Sequence, residues 1–292
     1  PRHQRLTGAR QRKETPMPYV TTRDDTRLHY KDWGAGRPVV LLGTAMMDSR
    51  MWEFQASFLA ERGLRCVTYD RRGCGRSDTP WDGYDYDTLA ADLADLLDHL
   101  DLRDAVLVGY AVGGGEAVRY LSRYGAGRVA KLALVASTTP FLLRTEDNPD
   151  GLDIALLDET AEAIRRDRAQ WLSDCTVPFF GGPNADPAAL PVSSELARWL
   201  VSTGLEASPR AGTEIYRTLF TTDQRAETAG ITVPTLVIHG TEDLAAPYAL
   251  CGPRTAELID GSRFVPYEGA PHGLFATHAE RLNEDLLAFV KE

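Results

Sequence analysis

A continuous apolar run leads directly into a glycine-rich turn and then a helical pattern in the segment VLVGYAVGGGEAVRYL, residues 106–121. A run without polar alternation predicts a strand that is covered on both faces. Gly109 and Gly113 would let the strand and the helix pass almost in contact around a strained residue, as in turns that present a nucleophile. Here that residue is Ala111, which has no nucleophilic atom. A dinucleotide-binding interpretation fails because the G-x-G-x-x-G pattern and its acidic partner are both missing.

Six apolar runs of this kind occur along the chain, and segments with helical spacing separate them. They comprise residues 38–43, 64–70, 105–110, 129–138, 233–240 and 262–270. An alternating stretch at 19–33 predicts a hairpin, and residues 277–290 predict a last helix with a capping box formed by Thr277 and Glu280. Buried strands that alternate with helices predict an α/β fold with a mostly parallel central sheet and helices on both faces.

The alternation of strands and helices is interrupted between residues 140 and 224. This stretch has helical patterns and a loop rich in Pro and Gly (VPFFGGPNADP, 177–187), but no buried strand. We therefore predict a core of residues 17–139 and 225–292, with residues 140–224 as a helical lid over the carboxyl edge of the sheet, where ligands bind in such folds. Residues 1–16 are polar and basic, and we predict a disordered N-terminal extension there.

Composition excludes several classes of function. The net charge of −10 argues against nucleic-acid binding, because no basic surface would displace phosphate counterions. No run approaches 18 apolar residues, so we expect no membrane span. The four cysteines lack metal-ligand spacing, and we expect free thiols in a reducing cytoplasm. No metal, flavin or nicotinamide site is implied, so we expect no cofactor.

Two polar residues follow the last two strand candidates. Asp243 lies in the loop after 233–240, and His272 lies in the loop after 262–270. Nucleophile position, acid and then histidine is the chain order of α/β-hydrolases. On these residues, and on TYDRRGCGRSD, LVGYAVGGGEAVRYL and APHGLFATHAERLNEDLLAFV, residues 17–292 resemble the arylesterase and cofactor-free haloperoxidase (perhydrolase) branch of the α/β-hydrolase fold.

The resemblance implies a Ser-His-Asp triad, with Asp243 and His272 as catalytic residues and a serine at the position of Ala111. It also implies that the backbone N–H groups of Ala45 and Val112 bind a developing oxyanion. The chain departs from the family at Ala111 and in the loop LLGTAMMDSRMWE, where the family usually has His-Gly, an aromatic residue and proline.

Two explanations compete for the alanine. One is an inactivating Ser→Ala change in an ordinary esterase or perhydrolase. The other is an enzyme that no longer uses covalent catalysis, and we favour it because the neighbouring oxyanion loop also differs. In that hypothesis His272, oriented by Asp243, acts as a base or acid in a cofactor-independent, non-hydrolytic reaction such as cyclisation or C–C bond formation. A ligand-binding pseudoenzyme without turnover is a third alternative.

The expected partner is an apolar or aromatic small molecule, polyketide-like in the favoured hypothesis. Since family relatives commonly associate, a homo-oligomer is also an expectation. Asp70, Arg71, Arg72 and Ser77 are expected to form a hydrogen-bonded loop scaffold, and His239 to be a core histidine. The residues expected to line the pocket are Thr44, Met46, Met47, Tyr110, Thr138, Trp171, Phe179, Phe180 and Trp199.

Overall fold

The computed structural model describes residues 18–292, in which an eight-stranded sheet has the order β1-β2-β4-β3-β5-β6-β7-β8. The first two strands form the predicted hairpin, and β2 also pairs antiparallel with β4. All other pairs are parallel. The strands are β1 (Tyr19–Thr21), β2 (Arg27–Gly34), β3 (Pro38–Leu42), β4 (Arg65–Tyr69), β5 (Ala105–Tyr110), β6 (Val129–Val135), β7 (Thr235–Gly240) and β8 (Arg263–Tyr267).

Ten helices flank or cap this sheet within the described residues. They are α1 (Glu53–Glu61), α2 (Tyr86–His99), α3 (Val112–Tyr124), α4 (Ile154–Gly181), α5 (Ser194–Leu205), α6 (Pro209–Thr221), α7 (Arg225–Ala229), α8 (Gly252–Leu258), α9 (Leu274–Thr277) and α10 (Ala279–Lys291). A short 3₁₀ helix, Ser49–Trp52, precedes α1.

The sheet has an apolar core on each face. Val106 and Val108 of β5 belong to the cluster that includes residues of α1 and α10. Leu107, between them, belongs to the cluster that includes residues of α2 and α3. Because successive side chains of a strand point to opposite faces, a strand covered on both sides must be apolar throughout. The predicted fold class is confirmed.

The predicted capping box is wrong. His278 is the N-cap of α10, and in the described part of the chain its side chain makes no capping hydrogen bond at this end. Thr277 instead ends α9, where its hydroxyl contacts the Gly273 carbonyl at 3.4 Å and His278 Nδ1 at 2.8 Å. The short α9 therefore uses the threonine that the sequence pattern assigned to the next helix. The extension expected at residues 1–16 lies outside the described residues.

Helices α4 to α7 come between β6 and β7, and we call α4, α5 and α6 the lid helices. The Pro/Gly loop predicted to begin at residue 177 begins later, because α4 continues to Gly181 with Pro178 inside it. A proline removes one helical hydrogen bond, and its ring crowds the carbonyl four residues earlier. Pro178 lies in the last turn of α4, and the helix ends three residues after it. A kink at Asp167 (φ −158°, ψ 90°) divides α4 and turns its second half.

Two expectations from composition can be compared with the described residues. None of the helices in 18–292 has the length and the apolar character that a membrane crossing requires. Cys66, Cys74, Cys175 and Cys251 are all free thiols, as predicted. The cellular compartment stays a prediction.

Candidate active site

The turn between β5 and α3 holds its central residue in a strained conformation. Ala111 has φ 50° and ψ −117°, a combination that an L-residue adopts only when its surroundings impose it. Its N–H donates to the Val135 carbonyl at 3.2 Å, and its carbonyl accepts from Gly114 at 3.0 Å. We call residues 109–113 the elbow. Its geometry lifts residue 111 out of both the strand and the helix, which is how such turns present a nucleophile.

Glycine is required on both sides of the elbow because backbones meet there. A Cβ on Gly109 would lie 2.5 Å from the Gly113 carbonyl oxygen, and a Cβ on Gly113 would lie 2.5 Å from the Leu42 carbonyl oxygen. Both distances are shorter than real Cβ contacts, and backbone atoms cannot move aside cheaply. The close approach of strand and helix that the sequence predicted is therefore present.

The acid and the histidine are in direct contact. Asp243 follows β7 and His272 follows β8, and Nδ1 of His272 lies 2.7 Å from Oδ2 of Asp243. Both side chains are buried, since the Asp243 side chain is 0% exposed and the His272 side chain is 4% exposed. The other oxygen of Asp243 accepts the N–H groups of Ala245 and Ala246 at 2.9 and 2.7 Å. The carboxylate is thus fixed, and it keeps the Nδ1 proton on the ring.

Surrounding residues hold the His272 ring from several sides. Tyr110 donates its hydroxyl to the His272 carbonyl, and its ring meets the imidazole edge-on at 5.6 Å. Phe179 meets the same ring edge-on at 5.1 Å.

His239 is fully buried, and its ring nitrogen Nε2 lies 2.7 Å from the Ala246 carbonyl oxygen. Burial lowers the pKa of His239, and this agrees with the core role that we predicted. The Nε2 atom of His272 has no hydrogen-bond partner among residues 18–292.

One expected oxyanion donor belongs to the elbow, and the other belongs to the loop after β3. Val112 is the first residue of α3, and the first N–H groups of a helix have no intrahelical acceptor. Ala45 lies in the loop after β3, which we call the oxyanion loop (residues 43–47). The N–H of Ala45 has no acceptor in the described part of the chain. The next residue, Met46, has φ 61°, so this loop is also held in an uncommon conformation.

A cavity of about 310 Å³ lies between this edge of the sheet and the lid helices. Its volume is at the lower end of the range for small-molecule sites. No Asp, Glu, Lys or Arg is among its lining residues in the described chain. They include Thr44, Ala45, Met46, Met47, Trp171, Phe179, Phe180 and His272, which the sequence predicted, and Leu142, Leu152, Leu172, Leu200, Tyr216 and Phe220.

Comparisons with known proteins agree with this geometry. A family model described as alpha/beta hydrolase fold matches residues 37–279. The chain belongs to the α/β-hydrolase family.

Relatives of this α/β-hydrolase include proteins that are named as enzymes. A non-heme chloroperoxidase from Streptomyces lividans is 42% identical over 277 residues, which are 94% of this chain and 100% of that protein. A bifunctional esterase/perhydrolase from Acinetobacter calcoaceticus is 36% identical over 277 residues with the same coverage. The crystal structure of bromoperoxidase from Bacillus anthracis matches with a TM-score of 0.90 at 37% identity and covers 94% of this chain and 99% of that one. The protein is therefore an enzyme of the α/β-hydrolase superfamily.

Three residues that were expected to line the pocket of this α/β-hydrolase lie elsewhere. Tyr110 is fully buried beneath the cavity, because its hydroxyl bonds the His272 backbone and its ring packs on Trp52. Thr138 is buried behind the elbow, where its N–H contacts the Ala111 carbonyl at 3.4 Å. Trp199 packs against the core because α5 presents a different face to the cavity, formed by Ala197, Leu200, Val201 and Gly204.

Helical spacing was the signal that could have corrected the prediction that Trp199 lines the pocket. Residues 197, 200, 201 and 204 recur at the three- and four-residue steps of one helix face, whereas residue 199 falls on another. The same spacing brings Tyr216, Leu219 and Phe220 of α6 to the cavity.

No group of three or more His, Cys, Asp or Glu side chains within 18–292 is arranged to hold a metal ion.

Proposed function

We propose that this chain has the substrate site of an ester hydrolase or perhydrolase, with an inactivating alanine at the nucleophile position. The observation that carries the proposal is the strained conformation of Ala111 (φ 50°, ψ −117°). Holding an L-residue in such a region costs on the order of 1–3 kcal/mol and persists only where the surroundings impose it. Such a turn presents the side chain of its central residue as a nucleophile. Alanine has no nucleophilic atom, whereas the hydroxyl of a serine would be one.

The roles of the surrounding groups follow from the contacts. With a serine at position 111, Nε2 of His272 would accept the hydroxyl proton as the oxygen attacks an ester carbonyl. Asp243, 2.7 Å from Nδ1, would stabilise the imidazolium that forms. The N–H groups of Ala45 and Val112 would bind the oxyanion. As the chain stands, residue 111 ends at Cβ, so an ester binds but no acyl-enzyme forms.

The cavity defines the class of ligand. Because no side chain of residues 18–292 that is always charged lines it, a charged acyl group would lose its hydration without gaining a partner. Aromatic and aliphatic side chains instead suit an uncharged aryl or alkyl ester. One relative is named as a bifunctional esterase/perhydrolase, and that activity agrees with acyl chemistry at this site.

These relatives favour the hydrolase alternative over the non-hydrolytic reaction that we preferred from the sequence. That preference came from the altered oxyanion loop around Thr44 and Ala45. The structure leaves both residues lining the same cavity as His272, where an ester carbonyl would be bound. Cyclisation or C–C bond formation has no comparable support from the named relatives.

The experiment is the Ala111→Ser variant assayed with p-nitrophenyl acetate and p-nitrophenyl butyrate. We expect its rate to exceed that of the unaltered chain by about 10³-fold or more, since a complete triad adds at least that much to binding and oxyanion donors alone. The matched control is the Ala111→Ser, His272→Ala double variant, which should return to the rate of the unaltered chain. A folded Ala111→Ser protein with no gain in hydrolysis contradicts the proposal.

A further inference from the structure

A buried arginine contacts the oxyanion loop and is not among the residues of 18–292 that line the cavity. Arg71 follows β4 and is only 3% exposed. Its Nη2 donates to the Gly43 carbonyl at 2.9 Å, and its Nη1 donates to the Thr44 carbonyl at 3.2 Å. One guanidinium therefore holds two consecutive peptide groups of this loop.

The guanidinium itself is fixed by a buried carboxylate. Oε2 of Glu116 accepts from Nε of Arg71 at 3.0 Å and from Nη2 at 2.8 Å, and the Tyr69 hydroxyl donates to its other oxygen. Glu116 is fully buried, and burial raises the pKa of its carboxyl because the charged form loses its hydration, but the Arg71 guanidinium at 2.8 Å opposes this rise by stabilising the carboxylate. The planar guanidinium can meet the carboxylate and both carbonyls together, which a lysine ammonium could not do with the same geometry.

The direction of the Ala45 N–H follows from these contacts. The carbonyl of Thr44 and the N–H of Ala45 belong to one peptide plane, and in a trans peptide they point in opposite directions. A carbonyl that is held towards Arg71 therefore turns the Ala45 N–H away from Arg71. Ala45 lines the cavity, so this is the direction in which an oxyanion would lie.

The same ion pair also involves the helix that carries the second oxyanion donor. Glu116 belongs to α3, the helix whose first residue is Val112. The carboxylate thus connects the helix that carries one N–H to the loop that carries the other. We propose that Arg71, held by Glu116, is a positioning residue that fixes the separation and direction of the two oxyanion donors.

This inference rests on the proposed ester hydrolase function, so it is tested in the Ala111→Ser background. The test variant is Arg71→Met, and the matched control is Arg72→Met. Arg72 is 1% exposed and bonds Asp92 at 2.7 and 2.6 Å, but within residues 18–292 it has no hydrogen bond to the oxyanion loop. Both variants lose a buried ion pair of the same segment, and both are expected to lower the melting temperature.

Only Arg71→Met should change the chemical step. For p-nitrophenyl acetate we expect its kcat to fall about 100-fold, the usual loss for one oxyanion donor, with KM changed less than threefold. Arg72→Met should keep kcat within threefold. The Arg71→Met, Glu116→Leu double variant removes both charges, so it avoids an unpaired buried carboxylate if the single variant does not fold. We expect its kcat to be equally low, and a kcat within threefold of the Ala111→Ser parent would overturn the proposal.

A second measurement separates this proposal from the function on which it rests. Amide hydrogen exchange of residues 43–47 can be followed in the unaltered chain and in Arg71→Met, without any catalysis. We expect exchange in this loop to become at least tenfold faster in Arg71→Met and to stay unchanged in Arg72→Met. If Ala111→Ser hydrolyses no ester but the loop responds in this way, the proposed function fails and the anchoring by Arg71 stands. Equal exchange in the two variants overturns the anchoring.

Discussion

The close contact at the elbow can be tested by adding one methyl group, in the variant Gly113→Ala. The new Cβ would lie 2.5 Å from the Leu42 carbonyl oxygen and 2.9 Å from that of Gly43. To reach an ordinary contact of 3.4 Å, strand and helix must separate by about 0.9 Å. Leu42 cannot yield easily because β3 is paired with β5 at this point, opposite Gly109. We therefore expect a cost at the upper end of the range for overpacking, about 3 kcal/mol.

For a chain of this size, 1 kcal/mol corresponds to about 2–4 °C, so the melting temperature of Gly113→Ala should fall by about 6–12 °C. Thermal unfolding followed by circular dichroism, together with urea unfolding, measures the change. The control is Gly127→Ala in the turn between α3 and β6, where a Cβ meets nothing within 4 Å among residues 18–292. It should be neutral or stabilising by about 0.4–1 kcal/mol through the unfolded state. Equal melting temperatures for the two variants would refute the packing argument.

Two further predictions concern single groups in the site. In the Ala111→Ser background, Asp243→Asn should lower kcat for p-nitrophenyl acetate about 10⁴-fold. The reason is that the Ala245 and Ala246 N–H groups hold the amide oxygen, so its NH₂ faces Nδ1 of His272 and forces the ring proton onto Nε2. Thr44→Val should weaken binding of an aryl ester to the unaltered chain about 3- to 10-fold in calorimetry, because the Thr44 hydroxyl lines the cavity and has no hydrogen-bond partner within residues 18–292. Unchanged affinity would exclude the hydroxyl as a ligand contact.

The elements and the catalytic pair could be predicted because their signals are local. Apolar runs mark buried strands, and the strict spacing of Gly109 and Gly113 marks a close backbone approach that few folds require. Asp243 and His272 each follow a strand, so their meeting at one sheet edge follows from parallel topology. In the structure they are 2.7 Å apart.

The directions of side chains around the cavity could not be predicted in the same way. Tyr110 adjoins the elbow in sequence, but its hydroxyl reaches a backbone group 162 positions away. The contact of Arg71 with the oxyanion loop depends on Glu116, which is 45 positions away and has no sequence pattern of its own. The length of α4 was missed because Pro178 and the adjacent glycines favour a loop when judged locally.

Covalent labelling is the most direct test of whether the elbow presents residue 111 to His272. Diethyl p-nitrophenyl phosphate transfers its phosphoryl group to an activated serine with release of p-nitrophenol, and intact-protein mass spectrometry detects the adduct. We predict one adduct on Ala111→Ser, mapped to residue 111, and none there on the unaltered chain or on Ala111→Ser, His272→Ala. A folded Ala111→Ser protein that remains unlabelled, or that is labelled equally without His272, would contradict the account.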